Sequence, residues 1–162
     1  MGPIRKWAVI GVVVVTAAAV PFTARPRPAG ADDDVKGGVA TMAQEANRMD
    51  RMFVQLFNER RFEELGQSYY ADNAIAVPPN HEPVQGRAAI VEYFQKTRDA
   101  FGEIAVMDPW QMAVSGDLVS VVGKYTGQSG RLRATSHELF ERQPDGSLRC
   151  TVDMFGFRDP LS

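Results

Sequence analysis

From Met42 the apolar positions recur at helical spacing. Met42, Ala46, Met49, Phe53, Leu56 and Phe57 share one stripe, with Glu45, Arg48, Arg51 and Gln55 on the other side. Phe62, Leu65 and Tyr69 predict a second, shorter helix that ends before Asp72-Asn73. Pro78-Pro79 breaks the chain, and Asn80-His81-Glu82-Pro83 reads as an exposed loop. Ile90, Tyr93, Phe94 and Thr97 mark a third helix opening near Gly86. From about residue 103 the period changes to two. Ile104–Val114 alternates around Pro109, which predicts a bulge or an edge strand there. Leu118–Gly127 is a Val-rich strand entered through Ser115-Gly116-Asp117. Leu132–Gln143 and Ser147–Phe157 are joined by Pro144-Asp145-Gly146, a hairpin signal. The order is α+β: three helices, then an antiparallel sheet of about four strands. Helices gathered on one face of such a curved sheet enclose a cone-shaped pocket, a cone-shaped α+β barrel.

Ahead of this domain the pattern is of another kind. Arg5 and Lys6 precede an unbroken apolar run from Trp7 to Val20, and Ala29-Gly30-Ala31 offers the small residues of a cleavage site. Residues 1–31 therefore read as a secretory signal peptide, with Asp32 first in the mature chain. The alternative is an uncleaved anchor over residues 7–24, since the run approaches the length of a membrane span once Pro21 and Phe22 are counted. The expectation is export, with membrane contact only if the leader stays. The Pro-, Gly- and charge-rich residues that follow, through 32–41, read as linker, and the domain as 42–162.

Composition sharpens this division. The 162 residues carry a formal charge of −2, but all four cations of the first 31 residues lie in the leader. The remaining 14 basic and 20 acidic side chains leave −6 on the domain, which argues against nucleic acid as a partner. An apolar content of 44% excludes a disordered tail. One Cys excludes a disulfide framework and a Cys-rich zinc site, and two His disfavour a His-dominated metal centre. There is no glycine-rich phosphate loop, Ser-His-Asp order or metal spacing, so no cofactor or metal is implied.

The stretch YYADNAIAVPPNHEPVQGRAAIVEYFQ (residues 69–95) resembles an element of the nuclear transport factor two-like superfamily. Within it the SnoaL-like and ketosteroid-isomerase-like proteins are the nearest group. SGDLVSVVGKYTG and HELFERQPDGSLRCTVDMF are similar to that group's final strands, and the likeness covers roughly residues 42–157. The resemblance implies the cone fold; it does not by itself imply a reaction. Steroid isomerases of the group hold the oxyanion with a first-helix Tyr and a protonated late-strand Asp, and move the proton with another Asp. The matching positions here are Phe53, Ser136, and Pro78 or Pro79, so that catalytic set is absent.

Another constellation is present. If Asp145-Gly146 forms a two-residue turn, Glu138 pairs with Asp153, Phe140 with Thr151 and Ser136 with Phe155, all on the pocket face. Two carboxyls in a partly apolar cone repel, one pKa rises toward neutrality, and the pair is equipped for general acid–base work. The alternative is that Arg133, Arg142 or Arg149 neutralises them and they only support the sheet. The same register puts His137, Cys150, Val152 and Met154 on the outer face, where Cys150 is a packed thiol rather than a nucleophile. Leu148, Val152 and Met154 are the expected homodimer contacts on that outer sheet face. Phe53, Tyr69, Trp110, Tyr125, Ser136 and Phe155 are the candidate pocket residues, with His81 at the mouth, and the Met-rich composition suits an adaptable lining. Three functions follow. The first is an exported binder of a steroid-, polyketide- or lipid-like hydrophobic ligand. The second is a lyase, isomerase or hydrolase using Glu138 and Asp153. The third is an oligomerisation module.

Overall fold

A computed structural model describes residues 31–128 and 133–157, with side chains from residue 38. The leader, apart from Ala31, lies outside the described residues. Three helices, α1 (Ala31–Asn58), α2 (Phe62–Tyr69) and α3 (Arg87–Phe101), pack on a curved, unclosed sheet. Its strands are β1 (Tyr70–Val77), β2 (Val84–Gln85), β3 (Ile104–Ser115), β4 (Leu118–Gly127), β5 (Arg133–Arg142) and β6 (Leu148–Phe157). The order across the sheet is β2-β1-β6-β5-β4-β3, with β1 parallel to β6 and every other pair antiparallel. Two strands therefore join the four that alternation predicts. β1 carries the adjacent polar pair Asp72-Asn73 and a register shift before Ile75, so it shows no period-two signature along its length, and β2 is only two residues long. No helix of the described residues is long and apolar enough to cross a membrane.

α1 begins at Ala31, so its helical backbone runs over the 32–41 stretch that composition reads as linker. Its buried face is Met42, Ala46, Met49, Phe53, Leu56 and Phe57, the stripe read from the sequence. The Asn58 side chain clamps the helix end to the sheet: its Nδ2 donates to Ile104 O at 2.7 Å and its Oδ1 accepts from Ile104 N at 2.9 Å. α2 and α3 approach so closely that a Cβ on Gly66 would lie 2.4 Å from Val91 Cγ2. β3 is both an edge strand and bulged between Pro109 and Gln111, as the proline demands.

The β5–β6 hairpin decides the site. Gln143 N donates to Ser147 O at 2.8 Å and Gly146 sits at φ 82°, so the loop is the three residues Pro144-Asp145-Gly146, not two. Phe140 accordingly pairs with Cys150, and Glu141 with Arg149. A bulge at Thr151 then adds one residue to β6 and restores the register, so that Leu139 faces Val152, Glu138 faces Asp153 and Ser136 faces Phe155. The expected Phe140–Thr151 pair is therefore incorrect, while the carboxyl pair stands. Leu148 and Cys150 are turned into the core, with 1% and 0% of their surface exposed. Leu148 is thus withdrawn from the outer face and Cys150 has no place there. Val152 is half-buried and Met154 exposed on that face.

Candidate functional site

The cone lies between α1, α3 and the concave face of the sheet. Phe53, Phe57, Phe94, Tyr125 and Phe155 form much of its wall, and Ser136, Glu138 and Asp153 its polar floor. The rings interlock: Phe53 sits 5.0 Å from Tyr69 and 5.8 Å from Phe94, and Phe94 is 6.1 Å from Phe155. These side chains leave about 30 Å³ of free space, room for one or two waters and, as they stand, none for a steroid. Met107 is the methionine that reaches the lining; Met42 and Met49 belong to the core of α1.

Of the nine residues singled out from sequence, Phe53, Tyr69, Tyr125, Ser136, Glu138, Asp153 and Phe155 line this cavity. Two do not. Trp110 is the bulged residue of β3, 69% exposed, with Lys124 Nζ 4.4 Å above its ring. The bulge shifts the strand's alternation, which puts Trp110 outside and keeps Met112 inside. His81 is exposed in its loop, 5.2 Å from the Tyr93 ring, and its Nδ1 lies 2.6 Å from Glu82 O. No residue of the loop 78–83 lines the cavity.

Glu138 and Asp153 occupy facing positions on β5 and β6, 1% and 5% exposed. The arginines that could have neutralised them are engaged elsewhere. Arg142 Nη2 meets Glu45 Oε2 at 2.8 Å, Arg149 Nη1 donates to Leu148 O at 3.0 Å, and Arg133 is exposed. Burial raises both acids, and the Asp153 charge raises Glu138 further. The pair titrates in two steps, about 6 for Asp153 and about 9 for Glu138. The lower step goes to Asp153 because the Tyr70 hydroxyl donates to its Oδ2 at 2.5 Å, which favours the carboxylate. Glu138 has the Ser136 hydroxyl near it, without the alignment of a hydrogen bond, and its Oε2 has no partner. At neutral pH the floor of the cone thus holds a base beside an acid.

A third carboxyl was not anticipated. Asp50 of α1 is 4% exposed, its pKa is pushed up to about 7 by burial and by Asp153, with Arg51 and the Tyr69 hydroxyl opposing the rise, and its Oδ1 has no hydrogen-bond partner. The signal was available. At 100° per residue Asp50 falls about 20° from Phe57 and about 40° from Ala46, inside the apolar stripe. Tyr69 and Tyr70 are neighbours that would face opposite ways in a strand. Tyr69 ends α2 and Tyr70 opens β1, so both are buried, with rings 4.9 Å apart. The Tyr70 hydroxyl meets Asp153.

His137 and Cys150 point to opposite faces, which removes them as a nucleophilic pair. His137 Nε2 lies 2.9 Å from Ser120 Oγ on the outer surface, whereas burial raises the Cys150 thiol well above its usual range.

A model of the SnoaL-like domain matches residues 51–151. The chain belongs to that family. The match spans α1 from Arg51 to the hairpin, and so includes Glu138 but stops short of Asp153. No curated protein matches the chain. Among solved structures, the SnoaL-like domain resembles a nuclear transport factor two-like protein with a cystatin-like fold from Novosphingobium aromaticivorans. That match is at 15% identity and TM-score 0.64, covering 82% of this chain and 92% of the other. A nuclear transport factor two-like family protein from Streptomyces avermitilis gives 14%, 0.62, 76% and 99%. A ketosteroid isomerase-like protein from Erwinia carotovora atroseptica gives 13%, 0.58, 72% and 96%. These likenesses establish the cone fold.

Proposed function

We propose that this SnoaL-like domain encloses a small molecule in its cone and exchanges a proton with it through Glu138 and Asp153. One observation carries the reading: a buried cross-strand carboxyl pair, neutralised by no arginine, opens onto the cavity with Glu138 Oε2 unsatisfied. Burying carboxyls without partners costs several kcal/mol, which a module serving only to oligomerise has no reason to carry. The guest's buried end is small and polar, and its body meets aromatic rings. Export through the leader would place this binding outside the reducing cytosol. The test is a panel of small fragments assayed by thermal shift, followed by calorimetry in two buffers of different ionisation heat. A stabilising fragment whose binding is linked to proton exchange supports the reading. No stabilising fragment, or binding with no proton linkage, refutes it.

A second reading, as a lyase, isomerase or hydrolase, is favoured by the Tyr70–Asp153 hydrogen bond. It keeps a carboxylate base ionised beside a neutral acid, the separation that general acid–base catalysis uses. Deuterium incorporation into fragments incubated in heavy water would support turnover. Incorporation that persists in Asp153→Asn would exclude Asp153 as the base.

A further inference from the structure

We propose that the guest of the cone is a small organic cation, an alkylammonium whose charged head replaces the missing partner of Glu138 and Asp153; this rests on the reading of the cone as a small-molecule site. Three observations converge. The floor presents two polar side chains that nothing in the fold satisfies, Ser136 Oγ and Glu138 Oε2, on residues 95% or more buried. Gly123 keeps that place open, since a Cβ there would lie 3.1 Å from Ser136 Oγ. The wall is built of aromatic faces, which attract a cation that has left water.

The carboxyls around the floor favour a cation; the buried cation beside the wall is Arg98, whose guanidinium lies 5.1 Å from the Phe57 ring centroid. Asp50 from α1, behind Tyr69, and Asp153 from β6 add negative charge. Tyr69 of α2, Tyr70 of β1, Tyr125 of β4 and Cys150 of β6 remain neutral, held so chiefly by burial. β3 contributes Ile104 and Met107. The nearest cations are spoken for. Arg51 lies on the exposed side of α1 and interacts with Asp50, and Arg98 of α3 donates from Nε to Phe57 O at 3.2 Å with Nη2 3.8 Å from Glu103. Among the described residues no cationic side chain lines the cavity. An anionic guest would meet like charge, and a neutral one would leave the Asp153 carboxylate without a counter-ion.

The proton balance is specific. An alkylammonium enters already protonated, Glu138 gives its proton to solvent, and the new carboxylate pairs with the ammonium. Binding therefore releases a proton and tightens as pH rises from about 6 to about 8. Three one-carbon probes that fit the free space separate the possibilities: methylammonium, methanol and formate, each followed by calorimetry in two buffers. Methylammonium is expected to bind at least about tenfold more tightly than methanol and to release close to one proton, with formate weakest. In Glu138→Gln the proton release and most of the preference for methylammonium over methanol should vanish. The buffer comparison on the unaltered protein needs no variant. Equal or tighter binding of methanol or formate, proton uptake with methylammonium, or no methylammonium binding at all overturns the assignment. In each of those cases the small-molecule reading itself stands if other fragments bind with proton linkage, and falls with it if none does.

Discussion

Replacing Glu138 by Gln should stabilise the folded protein, and more so as pH rises. In the unfolded chain a Glu ionises near 4.5, whereas in the cone its proton is held to about 9. At pH 7 folding must therefore return a proton to this side chain against solvent. The 2.5 units between 4.5 and 7 amount to about 3 kcal/mol, falling below about 1 kcal/mol at pH 5. The sign follows from the raised folded pKa: the contribution to stability is fully present below the unfolded value and is lost as pH climbs toward 9. Glutamine is neutral in both states, has nearly the same shape, and can still donate toward Asp153. Urea unfolding of both proteins at pH 5, 7 and 8.5, roughly spanning the window, measures the difference. The native protein should lose midpoint concentration with rising pH more steeply than Glu138→Gln. Parallel curves, or a variant destabilised at pH 7, would refute the claim that Glu138 is held neutral by burial.

Other perturbations test other parts of the argument. Tyr70→Phe removes the donor to Asp153 Oδ2, so the lower carboxyl step should move up from about 6, read by carboxyl carbon shifts in a pH titration; an unchanged step would mean the hydroxyl does not set it. Gly66→Ala forces a methyl against Val91 at the α2–α3 contact and should cost about 1–3 kcal/mol in denaturant unfolding. Asn58→Ala breaks both bonds to Ile104 and should cost about 2 kcal/mol; a neutral effect would show that β3 is held without the clamp. The homodimer expected from the outer face predicts that Met154→Glu lowers the sedimenting mass, and a native protein that sediments as a monomer at every concentration ends that expectation.

The α1 stripe, the α3 stripe and the four late strands were legible because one face of each is buried and the other is wet, which stamps a period on the residues. The added strands left no such mark: in β1 the adjacent polar residues Asp72 and Asn73 interrupt the alternation, and β2 is too short to show a period. The hairpin is more instructive. Counting from a two-residue turn gave the correct Glu138–Asp153 pair through two compensating facts, a three-residue loop and the Thr151 bulge. Cys150 and Leu148, on the turn side of that bulge, received no compensation and were placed on the wrong face.

For the site, sequence alone settled the residue types: two carboxyls on late strands, aromatic company, and no isomerase set at Phe53, Pro78, Pro79 and Ser136. It settled the cone as well, because amphipathic order dictates which faces must meet. Tertiary structure decided everything that depends on distance between elements. It brought Asp50 under Tyr69 and turned Tyr70 toward Asp153. It sent Arg142 to Glu45, leaving the pair on the floor without a counter-ion, and narrowed the cavity to about 30 Å³. Periodicity records whether a side chain is buried; only packing decides what it is buried against, and for a carboxyl that neighbour sets its charge.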